Sequence, residues 1–302
     1  MKLQHVETLI AIERSGSIRS AAELLGKSQP ALTKTLRQAE EALGFSVFQR
    51  TSRGVTPTEL GETVLARAKV IHTELQRLNE EVRQLQGEDF GTLHVCLSPL
   101  AAVQIIPAAL RMFRQRYPKV HVQLSSGLFP AALTPLHQGT TDMVIGPEPP
   151  ASLMNGLRAQ PLLKTTISVL AGKTSKYRHA KHLGDLADAP WIMIGPRERP
   201  GTYAKLFSEN GLTPPVALTT SESYMGALAN VESGDAICTF PSRLLEKVEA
   251  AWDIVRVPIA ETVDPLQISL ITRAQHPLTP AARELVNCIE RSVVSATRDD
   301  AR

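Results

Sequence analysis

The stretch from Ser17 to Arg53, SIRSAAELLGKSQPALTKTLRQAEEALGFSVFQRTSR, constrains this chain more than any other. It spells two short helices around a tight Gly-Lys turn. Ser17 suits an N-cap, because its hydroxyl can accept an otherwise unpaired helix N–H. Ile18, Ala21, Ala22 and Leu25 then recur at helical spacing, with one face turned inward. Gly26 stops that helix by adopting a left-handed conformation at little cost. Ser28 caps the next helix, and Pro30 falls in its first turn, where a missing N–H is harmless. Ala31, Leu32, Leu36, Ala39 and Leu43 form the expected buried stripe, which leaves Ser28, Gln29, Thr33, Lys34 and Arg37 facing outward. This is the layout of a helix-turn-helix, whose second helix offers its first residues to base edges in a DNA major groove. A plain helical hairpin with a solvated basic face would share the same pattern.

The residues that follow favour the first reading. Phe45 to Phe48 is expected as a short strand, Arg50-Thr51-Ser52-Arg53-Gly54 as a turn, and Val55-Thr56 as the returning strand. Together they make a wing from which Arg50 and Arg53 project. Between Lys27 and Arg53 there are five Lys/Arg against two acids, Glu40 and Glu41. That local excess suits phosphate contact.

At 302 residues, two or three domains are expected. A net charge of only +3 argues against a coat for non-specific nucleic-acid binding. Residues 1–58 hold eight Lys/Arg and five acids, whereas residues 59–90 hold four and seven. Positive charge therefore accompanies the helix-turn-helix pattern. Cys96, Cys238 and Cys288 have neither metal-ligand spacing nor a disulfide framework, which fits buried thiols in a reducing cytoplasm. Met1-Lys2 leads straight into a charged helix with no leader pattern, and no apolar run has membrane-spanning length.

Leu3, Val6, Leu9, Ile10 and Ile12 mark a first helix that should pack on the other two, closing a module near Thr58. A long helix follows, with Thr56 and Pro57 expected to open it. Along it Val64, Ala68, Ile71, Leu75, Leu78, Val82 and Leu85 alternate in steps of four and three, with charged flanks. A lone amphipathic helix can show such a stripe, but the sustained 3.5-residue period favours a partner helix from a second chain. Two linked reading heads would then span two half-sites of a roughly palindromic operator.

Gly87 to Gly91 (GEDFG) is a polar break. Beyond it, short apolar runs alternate with amphipathic helices, the α/β signature. Strands are expected at 93–97, 120–124, 142–145, 165–170, 191–194, 216–220, 236–240 and 266–272. Helices are expected near 103–117, 131–137 and 279–295. That is too many units for one small sheet, so two α/β subdomains are expected. Ligands in such sheets sit beyond the strands' carboxyl ends, where Ser98, Gly146 and Pro147 fall. Ser98 also precedes a helix N-terminus able to receive an anion.

Ordered matches run through Ala21-Ala22-Glu23-Leu24-Leu25, Ser28-Gln29-Pro30-Ala31-Leu32-Thr33, Glu40-Glu41-Ala42-Leu43-Gly44, Val47-Phe48-Gln49-Arg50 and Thr58-Glu59-Leu60-Gly61. By these motifs the N-terminal region resembles the winged helix-turn-helix of LysR-type transcriptional regulators. Ala39 stands where that pattern usually has Leu, and Ser233-Gly234-Asp235-Ala236-Ile237 replaces a more usual Gly-x-Gly-Ile run. The resemblance covers the whole chain. It implies an α/β protein with a winged helix-turn-helix (1–58), a linker and dimerisation helix with hinge (59–90), and a two-subdomain effector domain. That last part resembles periplasmic binding proteins, with 91–161 plus 268–302 in one subdomain and 162–267 in the other.

Carried over by position, Ser28, Gln29, Pro30, Thr33, Lys34 and Arg37 would approach DNA, with Arg50 and Arg53 at the wing. Gln29 can pair bidentately with adenine, and Lys34 or Arg37 with guanine. The effector pocket maps to Ser98, Pro99, Phe129, Gly146, Pro147, Thr202 and Tyr203. Ser98 and Thr202 would donate hydrogen bonds, while Phe129 and Tyr203 would form apolar walls. Arg197 and Arg199 could balance a carboxylate or sulfonate, although solvated surface positions suit them better. A small organic acid is the expected effector, with no cofactor and no metal. The expected partners are double-stranded operator DNA, a second copy through the linker helix, a tetramer built from such dimers, and RNA polymerase. The competing classes are an enzyme and a solute-binding protein. Gly172-Lys173-Thr174 looks like the tail of a P-loop, but Ile167 stands where the first Gly belongs. His179 and His182 lack further metal ligands, and no nucleophile elbow or dinucleotide fingerprint is present.

Overall fold

The computed structural model describes residues 1–51, 54–195, 202–262 and 264–299, the side chains of Arg50 and of residues 296–299 excepted. The chain divides into two compact units, Met1–Gly91 with Thr134–Thr141, and Thr92–Leu133 with Asp142–Arg302. No helix among the described residues is long and apolar enough to cross a membrane.

The first unit opens with helices α1 (Leu3–Ser15), α2 (Ile18–Leu24) and α3 (Gln29–Leu43). Ser17 caps α2 by accepting the Ser20 amide at 3.0 Å. The end of α2 closes through paired backbone bonds, Gly26 N–H to Glu23 and Lys27 N–H to Ala22, with Gly26 at φ +62°. Leu9, Ile12, Ala21, Leu32, Leu36 and Ala39 meet in one core. Leu3 and Ala31, expected inside, are exposed. Ala31 lies on the flank of α3 beside its N-cap, too far round the helix to follow Leu32 inward.

The wing is an antiparallel pair, β1 (Phe48–Thr51) and β2 (Gly54–Pro57). Its first strand therefore starts where the expected strand ends, and Arg50 lies within it, opposite Val55. Residues 46–47 are unavailable for pairing because their backbone is bonded elsewhere. The Val47 amide donates to Glu40, and the Thr58 hydroxyl donates to the Ser46 carbonyl. Thr58, rather than Thr56 or Pro57, caps the long helix α4 (Glu59–Leu85). Arg53 lies outside the described residues.

The second unit runs in order through β3 (Thr92–Leu97), α5 (Ile106–Arg116), β4 (His121–Ser126), β5 (Met143–Pro147) and β6 (Leu157–Thr165), while α6 (Leu133–His137) belongs, after Leu133, to the first unit. The second unit continues with β7 (Ile167–Gly172), β8 (Trp191–Ile194), α7 (Thr202–Glu209), β9 (Thr219–Ser221), α8 (Tyr224–Glu232) and β10 (Ile237–Pro241). It ends with α9 (Leu245–Ala251), β11 (Ile254–Arg256), β12 (Leu266–Arg273) and α10 (Pro280–Asp299). Two five-stranded sheets result, ordered β4-β3-β5-β12-β6 and β11-β7-β10-β8-β9. The chain leaves the first sheet after β6 and returns to it with β12. β6 crosses the expected 161/162 boundary and pairs with β12 along its length. Strand alternation gives the second sheet two apolar faces: Leu170, Ile192, Cys238 and Phe240 join the core shared with the first sheet, while Val169, Ala171, Trp191, Met193 and Ile237 face another.

Three sequence expectations are corrected here. The first helix after β3 begins earlier than residue 103, as a π-helical turn at Ala101–Ile105 that runs into α5. β9 is shorter than expected, with Val216 82% and Leu218 91% exposed outside it. β6, β11, α7, α8 and α9 were not anticipated. β6 carries Pro161 and only partial alternation, which edge strands tolerate.

Candidate nucleic-acid interface and ligand cavity

The capped start of α3 projects polar side chains into solvent. The Ser28 Oγ accepts the Ala31 amide at 3.4 Å, and Thr33 donates its hydroxyl to the Gln29 carbonyl at 2.9 Å. Gln29, Pro30, Thr33, Lys34 and Arg37 line one shallow concave patch. Neither Lys34 nor Arg37 has a carboxylate partner among the described residues. Their charge is available to an external anion. Arg50 is placed by its backbone alone, in β1.

What orients this face was only partly legible. Glu40 lies one turn before the end of α3, and its Oε1 accepts the amides of Val47 and Phe48 at 2.8 and 3.3 Å. Gly61, in the first turn of α4, sits so near the Val47 carbonyl that a Cβ there would be 2.0 Å from its oxygen. Lys69 of α4 pairs with Glu13 of α1 at 2.8 Å. Recognition helix, wing and long helix are thus tied together by polar bonds around residues 46–48. The sequence signal was Glu40 and the Thr-x-x-Gly spacing of Thr58 and Gly61.

Along α4 the apolar seam divides. Ala68 is buried within its own unit and Val64 packs against that core. Ile71, Leu78, Val82 and Leu85 are exposed, Leu78 at 55% and Leu85 at 69%. Leu65, off the expected seam, takes the core position instead, at 1% exposure.

In the second unit a cavity of about 520 Å³ is lined by residues of both sheets. Of the expected pocket residues, Ser98, Pro99, Phe129, Pro147 and Thr202 line it. Ser98 is buried and accepts the Ala101 amide at 3.4 Å, so its own proton remains free to donate. Gly146 lies behind Ser98, where a Cβ would come within 3.3 Å of the Ser98 Cβ. Tyr203 is not a wall. It is buried in the second core, stacked on Trp191 at 5.5 Å, with its hydroxyl donating to the Pro215 carbonyl at 3.1 Å. Its neighbour Thr202 faces the cavity because adjacent helical positions point about 100° apart. Arg197 and Arg199 lie outside the described residues.

The expectation missed Thr165, Lys205, Tyr224 and Thr239 in the lining, which Glu148 joins just past the end of β5. They come from separate elements, so no local motif announces them. Thr202 and Thr239 share a hydrogen bond at 2.9 Å. Tyr224 packs edge-on to Phe240 at 5.8 Å, and burial with the nearby Cys238 thiol raises its phenol well above its ordinary value. It therefore stays neutral, as a donor. The wall is chiefly apolar, with buried hydroxyls at Ser98, Thr165 and Thr239 and one exposed acid and one exposed base, Glu148 and Lys205. No group of three or more metal-ligating side chains gathers among the described residues.

Comparison with known proteins agrees with both halves. The family described as bacterial regulatory helix-turn-helix protein, lysR family, matches residues 3–62, and the LysR substrate binding domain matches residues 86–293. The HTH-type transcriptional regulator GalR of Pseudomonas putida is 26% identical, covering 96% of this chain and 74% of that protein. The regulator TdcA of Escherichia coli is 24% identical over 94% of this chain and 91% of its own length. The crystal structure of CbnR, a LysR family transcriptional regulator, superposes with a TM-score of 0.70 at 22% identity, covering 97% and 99% of the two chains. The chain belongs to the LysR family: it is a DNA-binding transcriptional regulator with an N-terminal helix-turn-helix and a C-terminal effector-binding domain.

Proposed function

We propose that a small organic acid, bound in the cavity of the second unit, controls how a homodimer of this chain grips an operator in the bacterial cytoplasm. The cavity carries this reading. It is of ligand size, chiefly apolar and lined from two sheets that the chain crosses between twice. Ser98 stands at the start of the helix that leads into α5, where a free hydroxyl proton and the positive end of the helix favour a carboxylate. Thr202 and Thr239 add hydroxyls from the second sheet. Ligand contacts to both sheets differ between open and closed arrangements, so binding shifts the equilibrium between them.

The dimer forms through Ile71, Leu78, Val82 and Leu85 of α4, an apolar stripe that one chain leaves in solvent. One structural relative is CbnR solved with its target DNA. By analogy the two copies of α3 here read two half-sites with Gln29, Thr33, Lys34 and Arg37, and the wing arginines Arg50 and Arg53 meet the backbone. Pairs of dimers would make a tetramer, and RNA polymerase is the further partner through which a changed DNA bend acts. The test is a gel shift and footprint of the intact protein on its own upstream region, with and without an acid found by calorimetric screening. An operator preference over random duplex and a ligand-dependent footprint or bend are expected. An identical footprint and bend with the cavity saturated would overturn ligand control.

A further inference from the structure

Two neighbouring strands of the first sheet end side by side at the cavity. β3 ends at Leu97 and delivers Ser98, while β5 ends at Pro147 and delivers Glu148. The strands are parallel partners, and the Ser98 amide donates to the Ile145 carbonyl at 2.8 Å. Glu148 lies two residues beyond Gly146, the residue behind Ser98, which is about 7 Å of extended chain.

These two side chains offer opposite chemistry. Ser98 offers a hydroxyl donor at the positive end of a helix. Glu148 offers acceptors, and its orientation is set: its Oε2 accepts the hydroxyl of the fully buried Ser269 at 2.6 Å, while its amide donates to the Gln267 carbonyl. No cationic side chain among the described residues pairs with Glu148. The one lysine of the described lining, Lys205, pairs with Glu209 on α7 at 3.3 Å. A positioned carboxylate with no counter-charge beside a chiefly apolar cavity repels a purely anionic ligand and attracts a cation.

We propose that the effector is an amino acid, carrying an ammonium group close to its carboxylate. Ser98 and the helix start receive the carboxylate, and Glu148, held by Ser269, receives the ammonium. Leu100, Phe129, Ile167, Ile194 and Ile268 enclose an apolar side chain, for which about 520 Å³ leaves room. This rests on the cavity being the effector site.

The test is calorimetry on the full chain with leucine, phenylalanine and the other standard amino acids, each beside its desamino acid. It is repeated with Glu148→Gln and Ser98→Ala. At least one amino acid should bind roughly tenfold or more tighter than its desamino acid, and E148Q should cut that preference to roughly threefold or less without weakening the desamino acid. A urea-denaturation transition of E148Q as cooperative as the parent protein's, with the midpoint little changed because Gln keeps an oxygen for the Ser269 hydroxyl, shows that the variant is folded. Desamino acids that bind as tightly as their amino acids, or a preference that survives in E148Q, would overturn the inference. If those acids still depended on Ser98, the cavity reading would stand. Failure of every probe to bind at about 10 mM would sink both.

Discussion

Glu40 and Val47 are joined by a hydrogen bond of 2.8 Å, from the backbone amide that enters the wing to a carboxylate on the recognition helix. The same oxygen also accepts the Phe48 amide at 3.3 Å. One side chain thereby ties α3 to the hairpin that follows. Glu40→Ala leaves two part-buried amides without their acceptor and should cost about 1–3 kcal/mol in urea denaturation, with weakened operator binding. Glu40→Gln keeps an oxygen in place and should lose less. Equal stability of E40A and the parent would show that the wing is held by other means.

Gly61→Ala would test the same junction from the other side. An alanine normally stabilises a helix by roughly 1 kcal/mol relative to glycine. Here its Cβ would lie 2.0 Å from the Val47 carbonyl oxygen, so backbone must move. Overpacking of this kind costs about 1–3 kcal/mol, which outweighs the propensity gain. A lower midpoint and poorer DNA affinity are expected from denaturation and gel shift, and a stabilised variant would contradict the geometry.

Lys34 is exposed and has no acidic partner among the described residues, so its charge is free for phosphate or guanine. Lys34→Ala should weaken operator binding by about 1–3 kcal/mol if it reads a base edge. If it touches phosphate instead, affinity should fall evenly across sequences and the salt slope should drop by about one. A titration series over several salt concentrations separates these outcomes, and unchanged affinity and slope would remove Lys34 from the interface.

Patterns confined to one element were read well from sequence. Ser17, Gly26 and Ser28 act through neighbours within a few residues, so caps and turns were legible. Periodicity located α1 to α4 but not where a stripe changes partner, because Ala68 and Leu78 carry the same apolar signal on one helix. The cavity was half legible. Ser98 follows the end of β3 and Pro147 ends β5, positions with a general meaning in α/β sheets. Thr239 is brought there by the second sheet's order, β7-β10-β8, and Tyr224 by α8 packing on that sheet, neither of which a local pattern encodes. Tyr203 misled because its neighbour Thr202 is the one that faces the ligand space.

The exposed part of the α4 seam predicts a clean separation of assembly from folding. Leu78→Glu with Val82→Glu places charge on two side chains that a single chain leaves in solvent. Single-chain stability should change by no more than about 0.5 kcal/mol for each surface substitution. Sedimentation should show a shift towards monomer, and operator affinity should fall as the linked second half-site is lost. A variant that remains fully dimeric would place the interface elsewhere.

Cys238 supplies a prediction about pH and reactivity. It lies on β10 in the core shared by the two sheets, fully buried. Burial raises its thiol from an ordinary value of 9.0 to about 12. The thiolate is the nucleophile, so at pH 8 the folded protein should resist alkylation by iodoacetamide at Cys238 and react only when unfolded. The sign of the pH effect follows from where the proton is held. Between pH 9 and about 12 the unfolded chain releases this proton while the folded chain keeps it. The contribution is therefore complete below pH 9 and is lost as pH rises through that window. Its slope is at most about 1.4 kcal/mol per pH unit. Mass spectrometry of native protein after timed alkylation, beside urea midpoints at pH 8 and 10, checks both parts. Labelling of Cys238 in the native state at the rate of a free thiol would mean that the shared core opens far more often than a packed β10 permits.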